Sequence, residues 1–125
     1  MLQQTGKSFT IIHSLDGYDE ISLTSDTKVI TNKGEKIFTA DELGKRPVSA
    51  DDIHGGNSVE EAAKIFLKIL HGEGSWAQNA VVIANAAMAL QCIGKYKTYE
   101  ECYSIAVESL ESGAALQSLN KLIKK

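Results

Sequence analysis

The segment from Trp76 to Ile93 constrains the fold of this chain more than any other. Its residues predict a helix that is apolar almost all round and rich in small side chains. Small side chains recur along it, at Ala80, Ala84, Ala86, Ala87 and Ala89 among others. A helix without a wide polar face has to be covered by neighbours on most of its sides. We therefore expect it to be the most buried helix, covered by the other helices or by a segment that the chain lacks.

Residues 58 to 125 form the helical half of the sequence. Three capping signatures, in which Ser or Thr is followed three residues later by Glu or Gln, each precede an apolar pattern. They are Ser58 with Glu61, Ser75 with Gln78, and Thr98 with Glu101. Glycines lie where the helices would end, at Gly72, Gly94 and Gly113. The pattern predicts three helices and a fourth short one after the last glycine.

Apolar residues at helical spacing give each of the other helices one stripe that we expect to be buried. In the helix after Ser58 the stripe consists of Val59, Ala62, Ala63, Phe66, Leu67 and Leu70. In the third helix it consists of Tyr99, Cys102, Tyr103, Ala106 and Leu110. In the fourth it consists of Ala115, Leu119, Leu122 and Ile123.

Residues 1 to 57 hold most of the β-branched and turn-forming residues. The unbroken apolar end of Ser8–Ile12 predicts a short buried strand. Lys28–Thr31 and Lys36–Thr39 flank the turn-forming residues Asn32–Glu35, which predicts a hairpin. Ala40–Gly44 predicts one helical turn that ends at its glycine, and residues 45 to 57 predict a loop. The expected fold class is α+β, with short strands and a hairpin in the first half and three to four packed helices in the second.

Composition excludes several classes of protein. The chain has 125 residues, of which 43% are hydrophobic and 23% charged, a profile typical of globular domains. A net charge of −3 gives no electrostatic reason to expect nucleic acid or an anionic membrane as partner. No apolar run has the length of a transmembrane helix, and the first residues do not match a signal peptide. Cys92 and Cys102 match neither a disulfide framework nor zinc spacing, so we expect reduced, inert thiols in a cytoplasmic protein.

The strongest candidate for chemistry is the acidic segment Asp16–Glu20, directly after the first strand. Asp16, Asp19 and Glu20 supply carboxylates at the C-terminal end of a strand, where ligands gather in open α/β sheets. Mg²⁺ is usually bound through one or two carboxylates together with phosphate oxygens. The residues themselves favour an ordinary solvated acidic turn over a cation site, and both interpretations stay open at this point.

The other candidates carry weaker signals. Gly55–Ser58 precedes a helix, whose N-terminus could bind a phosphate. The glycine spacing matches no known phosphate loop, so a flexible turn into a capped helix is favoured. The histidines, which show no metal-ligand spacing, are His13, His54 and His71. No serine stands in a nucleophile elbow, and we assign no catalytic and no cofactor-binding residue within this chain.

Three stretches together resemble the anthranilate phosphoribosyltransferase family, which has a nucleoside phosphorylase-like fold and belongs to glycosyltransferase family 3. Ile12–Ser22 looks like the family's strand, turn and Asp-Glu metal motif, and Ile53–Ala63 looks like its Gly-Gly turn into a helix. Glu111–Leu122 looks like its C-terminus. The agreement runs in order from Phe9 to Leu122. The resemblance implies that the chain is an α+β fragment of the family's α/β domain.

The resemblance also implies a reaction. In that family a small helical domain and a large α/β domain close around 5-phosphoribosyl diphosphate, Mg²⁺ and anthranilate. The amine of anthranilate displaces diphosphate at C1 of the ribose, a step of tryptophan biosynthesis. By resemblance, Asp19 and Glu20 are the acidic pair that helps to hold a Mg²⁺ on the diphosphate leaving group.

The sequence departs from the family at several places. Ser14 stands where the family often has glycine, Tyr18 where it has leucine and Asp26 where it has proline. The family's Gly-Thr-Gly-Gly-Asp loop, its Lys-His-Gly-Asn segment and its anthranilate-contacting arginine are absent, and Arg46 matches none of them. We therefore expect the C-terminal part of the phosphoribosyltransferase domain, inactive alone, with a β-rich segment at 1–57 and a helical segment at 58–125.

Two other classes of function stay open at this stage. One is a fragment of a related enzyme with the nucleoside phosphorylase fold, and the other is a non-enzymatic interaction module. By resemblance, the first strand belongs to a sheet whose other parallel strands are missing here, which leaves an open edge. Together with missing cover on the Trp76–Ile93 helix, this predicts a homodimer or a higher assembly.

Overall fold

The structure is a computed structural model, and it describes residues 2–96 and 98–124. A 3₁₀ turn at Leu2–Thr5 precedes strands β1 (Thr10–Ser14), β2 (Thr27–Thr31) and β3 (Gly34–Phe38). The helices are α1 (Ala40–Gly44), α2 (Val59–Leu70), α3 (Trp76–Ile93), α4 (Tyr99–Glu111) and α5 (Ala114–Ile123), with a further 3₁₀ turn at Ala50–Ile53. The predicted class is confirmed: short strands with a hairpin come first and packed helices follow. Within the described residues, no helix is both long and apolar enough to cross a membrane.

The three strands form one antiparallel sheet in the order β1-β2-β3. Thr31 lies opposite Gly34, so Asn32 and Lys33 make a two-residue turn between β2 and β3. Gly34 follows the turn with a φ of 133°, a conformation that side chains rarely adopt. The hairpin predicted around residues 32 to 35 is therefore confirmed.

The first strand differs from its prediction. It runs from Thr10 to Ser14 and not from Ser8 to Ile12, and its residues alternate between the core and solvent. Ile11 is 43% exposed, so the prediction of a buried strand is wrong for this chain. The reason is that, within residues 2–96 and 98–124, β1 pairs with β2 alone and packs one face inward, which makes it an edge strand.

Helix α3 is the centre of the molecule. Its side chains Ala80, Ala84 and Met88 pack against the sheet side of the core, where they meet Ile21 and Leu23. It has more buried residues than any other described helix, as predicted. One stripe of α3 nevertheless faces solvent. This exposed α3 stripe consists of Val82, Ala86, Ala89 and Ile93.

Helix α4 closes the core from the other side. Its predicted inward residues are buried at Cys102, Ala106 and Leu110 and half-buried at Tyr99 and Tyr103. The Tyr99 hydroxyl donates to the carbonyl of Leu43 (2.8 Å), which ties α4 to α1. The prediction for this helix is confirmed.

Helices α2 and α5 bury much less than their patterns predict. The stripe predicted on α2 is mostly in solvent, with Val59 86% and Phe66 51% exposed. Of that stripe only Leu70 is buried, and the helix also buries Ile69, which was not predicted. On α5, Ala115 and Leu119 are half-buried while Leu122 and Ile123 are exposed. The prediction of buried stripes is wrong at these positions, because α2 and α5 contact the rest of this chain only over part of their apolar faces.

The three predicted N-caps are present. Ser58, Ser75 and Thr98 each accept a hydrogen bond from the backbone N–H three residues later, at 3.1 Å. The reciprocal bond forms from Ser75 N–H to the Gln78 side chain (2.9 Å). At α2 the returning carboxylate reaches the N–H of Asn57 (2.6 Å), one residue before the cap. Local capping chemistry was therefore predictable from the sequence.

Helix α1 spans Ala40–Gly44 as predicted, but the residue that takes the left-handed conformation after it is not the glycine. Lys45, not Gly44, takes the left-handed conformation, with a φ of 74°. Gly44 is the last residue of the helix and packs closely against Leu23, where a Cβ would lie 2.8 Å from Leu23 Cδ2. This glycine serves close packing and not chain reversal.

Candidate functional site

The acidic loop, residues 15–26 between β1 and β2, contains the predicted metal ligands. Asp19 and Glu20 lie in its middle and are both exposed. Among the residues that the structure describes, none forms an ion pair or a hydrogen bond with either carboxylate. Both groups are therefore free to take a ligand from solvent.

Asp16, the third carboxylate of the loop, is used differently. It accepts hydrogen bonds from the hydroxyls of Thr24 and Ser25, the latter at 3.0 Å. The Thr24 hydroxyl, and after it that of Ser25, holds the pKa of Asp16 below its ordinary value. Asp16 thus fastens the far side of the loop, and the three carboxylates do not converge on one point.

No cage of three metal-ligand side chains exists in residues 2–96 and 98–124. The histidines predicted to be without ligand partners, His13, His54 and His71, belong to no such group. A cation at Asp19 and Glu20 would therefore need oxygen ligands from elsewhere. Phosphate oxygens are the usual source for Mg²⁺.

Three hydrogen-bonded hydroxyls, two buried and one half-buried, lie beneath the exposed part of the acidic loop. Ser14 Oγ donates to the carbonyl of Glu20 (2.6 Å) and lies 3.2 Å from Ser22 Oγ. Ser22 Oγ lies 2.7 Å from Thr24 Oγ1, and Thr24 in turn donates to Asp16. This row of hydroxyl groups links the end of β1 to both sides of the loop. Sequence reasoning missed it, because these residues become neighbours only when the loop folds back.

Asn85 joins the acidic loop to helix α3. The N–H of Ile21 donates to Asn85 Oδ1 (2.9 Å), and Asn85 Nδ2 donates to the carbonyls of Ile21 and Val81, both at 2.8 Å. Sequence reasoning also missed this residue. The signal was an asparagine in the middle of an otherwise apolar helix, since a polar group there needs partners.

The Gly-Gly turn before α2 is a structural turn. Gly56 has a φ of 84°, and a Cβ there would lie 2.8 Å from Glu61 Cβ, so a side chain would be both strained and crowded. Glu61 accepts from the N–H of Asn57 and so places its own carboxylate at the N-terminus of α2. A phosphate would meet that negative charge, so the geometry favours the capped turn over a phosphate cradle.

The two thiols are unpaired, as predicted. Cys102 is buried, and burial raises the pKa of its thiol. Cys92 is half-buried near the end of α3. A buried thiol with a raised pKa is a poor nucleophile, which fits an inert residue.

Comparisons with known proteins agree over nearly the whole chain. The glycosyl transferase family, a/b domain, matches residues 1–116. The anthranilate phosphoribosyltransferase of Bacteroides thetaiotaomicron is 48% identical over 122 residues, which are 98% of this chain and 37% of that protein. That of Christiangramia forsetii is 49% identical over 124 residues, again 37% of its length.

A solved structure shows the same arrangement of elements. The crystal structure of anthranilate phosphoribosyltransferase from Thermus thermophilus superposes with a TM-score of 0.84 and 27% identity. The match covers 96% of this chain and 36% of that protein. The chain therefore spans little more than a third of the length of the relatives that it matches.

Proposed function

This chain belongs to the glycosyl transferase family, a/b domain, and from that premise we propose that it forms the C-terminal part of an anthranilate phosphoribosyltransferase. The proposed reaction joins the amine of anthranilate to C1 of 5-phosphoribosyl diphosphate, with loss of diphosphate, in tryptophan biosynthesis. The observation that carries the proposal is 48% identity over 98% of the chain to a protein of that name. This likeness favours it over a related nucleoside phosphorylase-fold enzyme and over a non-catalytic interaction module.

The chain supplies only part of the proposed enzyme. Its match covers 37% of the length of the relatives, and the family's diphosphate loop and anthranilate-contacting arginine do not occur in its sequence. We assign its 125 residues to one unit of the α/β domain, made of a β-rich segment (1–57) and a helical segment (58–125). The core supports one unit, because Ile21, Leu23 and Val29 of the first segment pack with Ala84 and Met88 of the second.

Asp19 and Glu20 are the residues that we propose to hold Mg²⁺ in the complete enzyme. They fit the ion, because both carboxylates are exposed and neither forms an ion pair or a hydrogen bond with a described residue. When bound, the ion would neutralise charge on the diphosphate leaving group. The chain's own contribution is to hold these two carboxylates on a loop that is fastened at its base and at α3.

A homodimer is part of the proposal. Among the residues that the structure describes, β1 pairs with β2 alone, so its other edge is open beside the exposed Ile11. The exposed α3 stripe adds a second apolar surface, where Ile93 is 71% exposed. A location in the cytoplasm fits the free thiols Cys92 and Cys102, which a reducing compartment preserves.

Complementation tests the proposal in living cells. The chain would be joined to the upstream part of the Bacteroides thetaiotaomicron relative, up to the point where the match begins; we call this the joined enzyme. A bacterial strain that lacks anthranilate phosphoribosyltransferase should grow without tryptophan when it expresses the joined enzyme. The matched control carries Asp19→Ala and Glu20→Ala together and should not restore growth. Soluble joined enzyme that leaves the strain dependent on tryptophan would refute the proposed function.

A further inference from the structure

Two consecutive peptide groups of the acidic loop are held on all four of their polar atoms by two side chains. Ser14 Oγ donates to the carbonyl of Glu20 (2.6 Å) and accepts from the N–H of Ser22 (3.3 Å). Asn85 accepts from the N–H of Ile21 (2.9 Å) and donates to the carbonyl of the same residue (2.8 Å). We call this arrangement the Ser14–Asn85 clamp.

The clamp is anchored in the buried core of the molecule. Ser14 and Ile21 are both fully buried, at 0% exposure, and Ile21 belongs to the main apolar core. Asn85 is itself fixed by its bond to the carbonyl of Val81 one turn earlier in α3. Because Ser14, Ile21 and Ser22 are buried, breaking one of these bonds leaves a buried polar atom without a partner, which is costly.

The clamped peptide groups directly follow the acidic pair in the chain. Glu20 provides one of the clamped carbonyls, and Asp19 is the residue before it, while both side chains remain in solvent. The other backbone bonds of this loop run to the carbonyls of Ser14, Tyr18 and Asp26 near its base, and from Val48 N–H to the carbonyl of Leu23. Those bonds close the loop without fixing the plane of the peptide that follows Glu20.

We infer that Asn85, together with Ser14, is a positioning residue that fixes the direction of the Asp19 and Glu20 carboxylates toward a divalent cation. This rests on the proposed function, in which that cation sits on the diphosphate. Asn85 touches neither cation nor substrate in this account. It acts through the loop backbone, and its contribution is preorganisation of two oxygen ligands.

The kinetic test compares Asn85→Ala with Asn79→Ala in the joined enzyme. Asn79 is the matched control, since it is also a half-buried asparagine of α3 and lies outside the clamp. Asn85→Ala should lower kcat by about tenfold or more, as loss of orientation does, and raise the Mg²⁺ concentration for half-maximal rate. KM for anthranilate should change by less than about twofold, and Asn79→Ala should behave like the parent. A purely structural role would reduce the amount of active enzyme and leave the Mg²⁺ dependence unchanged, which would overturn the inference.

A second measurement needs no activity and uses the 125-residue chain itself. Amide hydrogen exchange at Ile21 and Ser22 should be slow in the wild type. Asn85→Ala should accelerate exchange at Ile21, and Ser14→Ala should accelerate it at Ser22, each by about tenfold or more. Amides in α4 serve as the internal reference for global unfolding. Unchanged exchange at Ile21 in a folded Asn85→Ala chain would show that no clamp exists, whatever the joined enzyme does.

The kinetic and the exchange measurements together distinguish failure of this inference from failure of the proposed function. If Asp19→Ala alters the Mg²⁺ dependence of the joined enzyme and Asn85→Ala does not, the positioning role is wrong and the proposed function stands. If the joined enzyme is folded but inactive, the proposed function fails and the positioning role fails with it, although exchange at Ile21 can still show that the clamp holds the backbone.

Discussion

At the scale of single residues, the three carboxylates of the acidic loop differ in what surrounds them. Asp16 accepts hydrogen bonds from Thr24 and Ser25, while Asp19 and Glu20 face solvent without partners among the described residues. The first is held as part of the scaffold, and the other two remain available for a ligand. Carboxylates of one loop therefore have two different roles, one structural and the other available for binding.

The pKa of Asp16 gives a prediction that can be checked on the chain alone. Carbon-detected NMR titration should give a pKa below the ordinary value of 3.8, and Thr24→Val should move it back toward that value. Ser25→Ala should have a smaller effect. Because the folded pKa is lowered, the stabilisation is fully present above pH 3.8 and is lost as the pH falls through the folded pKa. An unchanged Asp16 pKa in Thr24→Val would show that this hydroxyl is not its main partner.

Substitution of Asp19 tests the proposed metal site. In the joined enzyme, Asp19→Ala should lower kcat and weaken the dependence on Mg²⁺, with a smaller effect on KM for anthranilate. The reason is that charge builds on the leaving diphosphate and not on the amine. Asp26→Ala, which removes an exposed carboxylate from the same loop, is the control and should leave the kinetics unchanged. Parent-like kinetics in Asp19→Ala would identify the pair as an ordinary solvated turn.

Residue-scale features differ in how far the sequence could predict them. The caps at Ser58, Ser75 and Thr98 are local, since donor and acceptor lie three residues apart, and the sequence predicted all three. The contact between Ile21 and Asn85 joins residues that are 64 positions apart. No spacing rule connects such residues, because their distance depends on the packing of α3 against the sheet.

At the scale of whole elements, helix α2 shows what an apolar stripe does and does not predict. The spacing of Val59, Phe66 and Leu67 places them on one face, as predicted, but that face lies in solvent. An apolar stripe indicates that one face of a helix is suited to burial. It does not indicate which segment packs against that face. The same holds for β1, whose apolar end predicted burial although this chain provides one neighbouring strand.

Two substitutions in α2 test the observed burial. In the isolated chain, Phe66→Gln should change the free energy of unfolding by no more than about 0.5 kcal/mol, as expected for an exposed site. Ile69→Ala, in the same helix but buried, should cost about 2–5 kcal/mol. Urea denaturation of both variants measures the difference. Equal losses would mean that α2 packs through its predicted stripe after all.

At the scale of the whole molecule, the open edge of β1 and the exposed α3 stripe predict self-association. Sedimentation equilibrium at tens of micromolar should give a dimer or a larger species. Ile11→Lys on β1 and Ile93→Lys on α3 should shift the equilibrium toward monomer, since each places a charge on one of these surfaces. Val59→Lys adds the same charge to exposed α2 and is the control. A monomeric wild-type chain would remove the homodimer from the proposal.

The central claim is that this chain supplies the acidic loop of an anthranilate phosphoribosyltransferase and depends on the rest of that enzyme for activity. The most direct measurement is formation of phosphoribosyl anthranilate from anthranilate and 5-phosphoribosyl diphosphate by purified proteins. We predict Mg²⁺-dependent product from the joined enzyme, and none from the chain alone or from the upstream part alone. The reason is that two reactants have to be held in one geometry by groups from both parts. Product from the chain alone, or a folded joined enzyme without activity, would contradict the account.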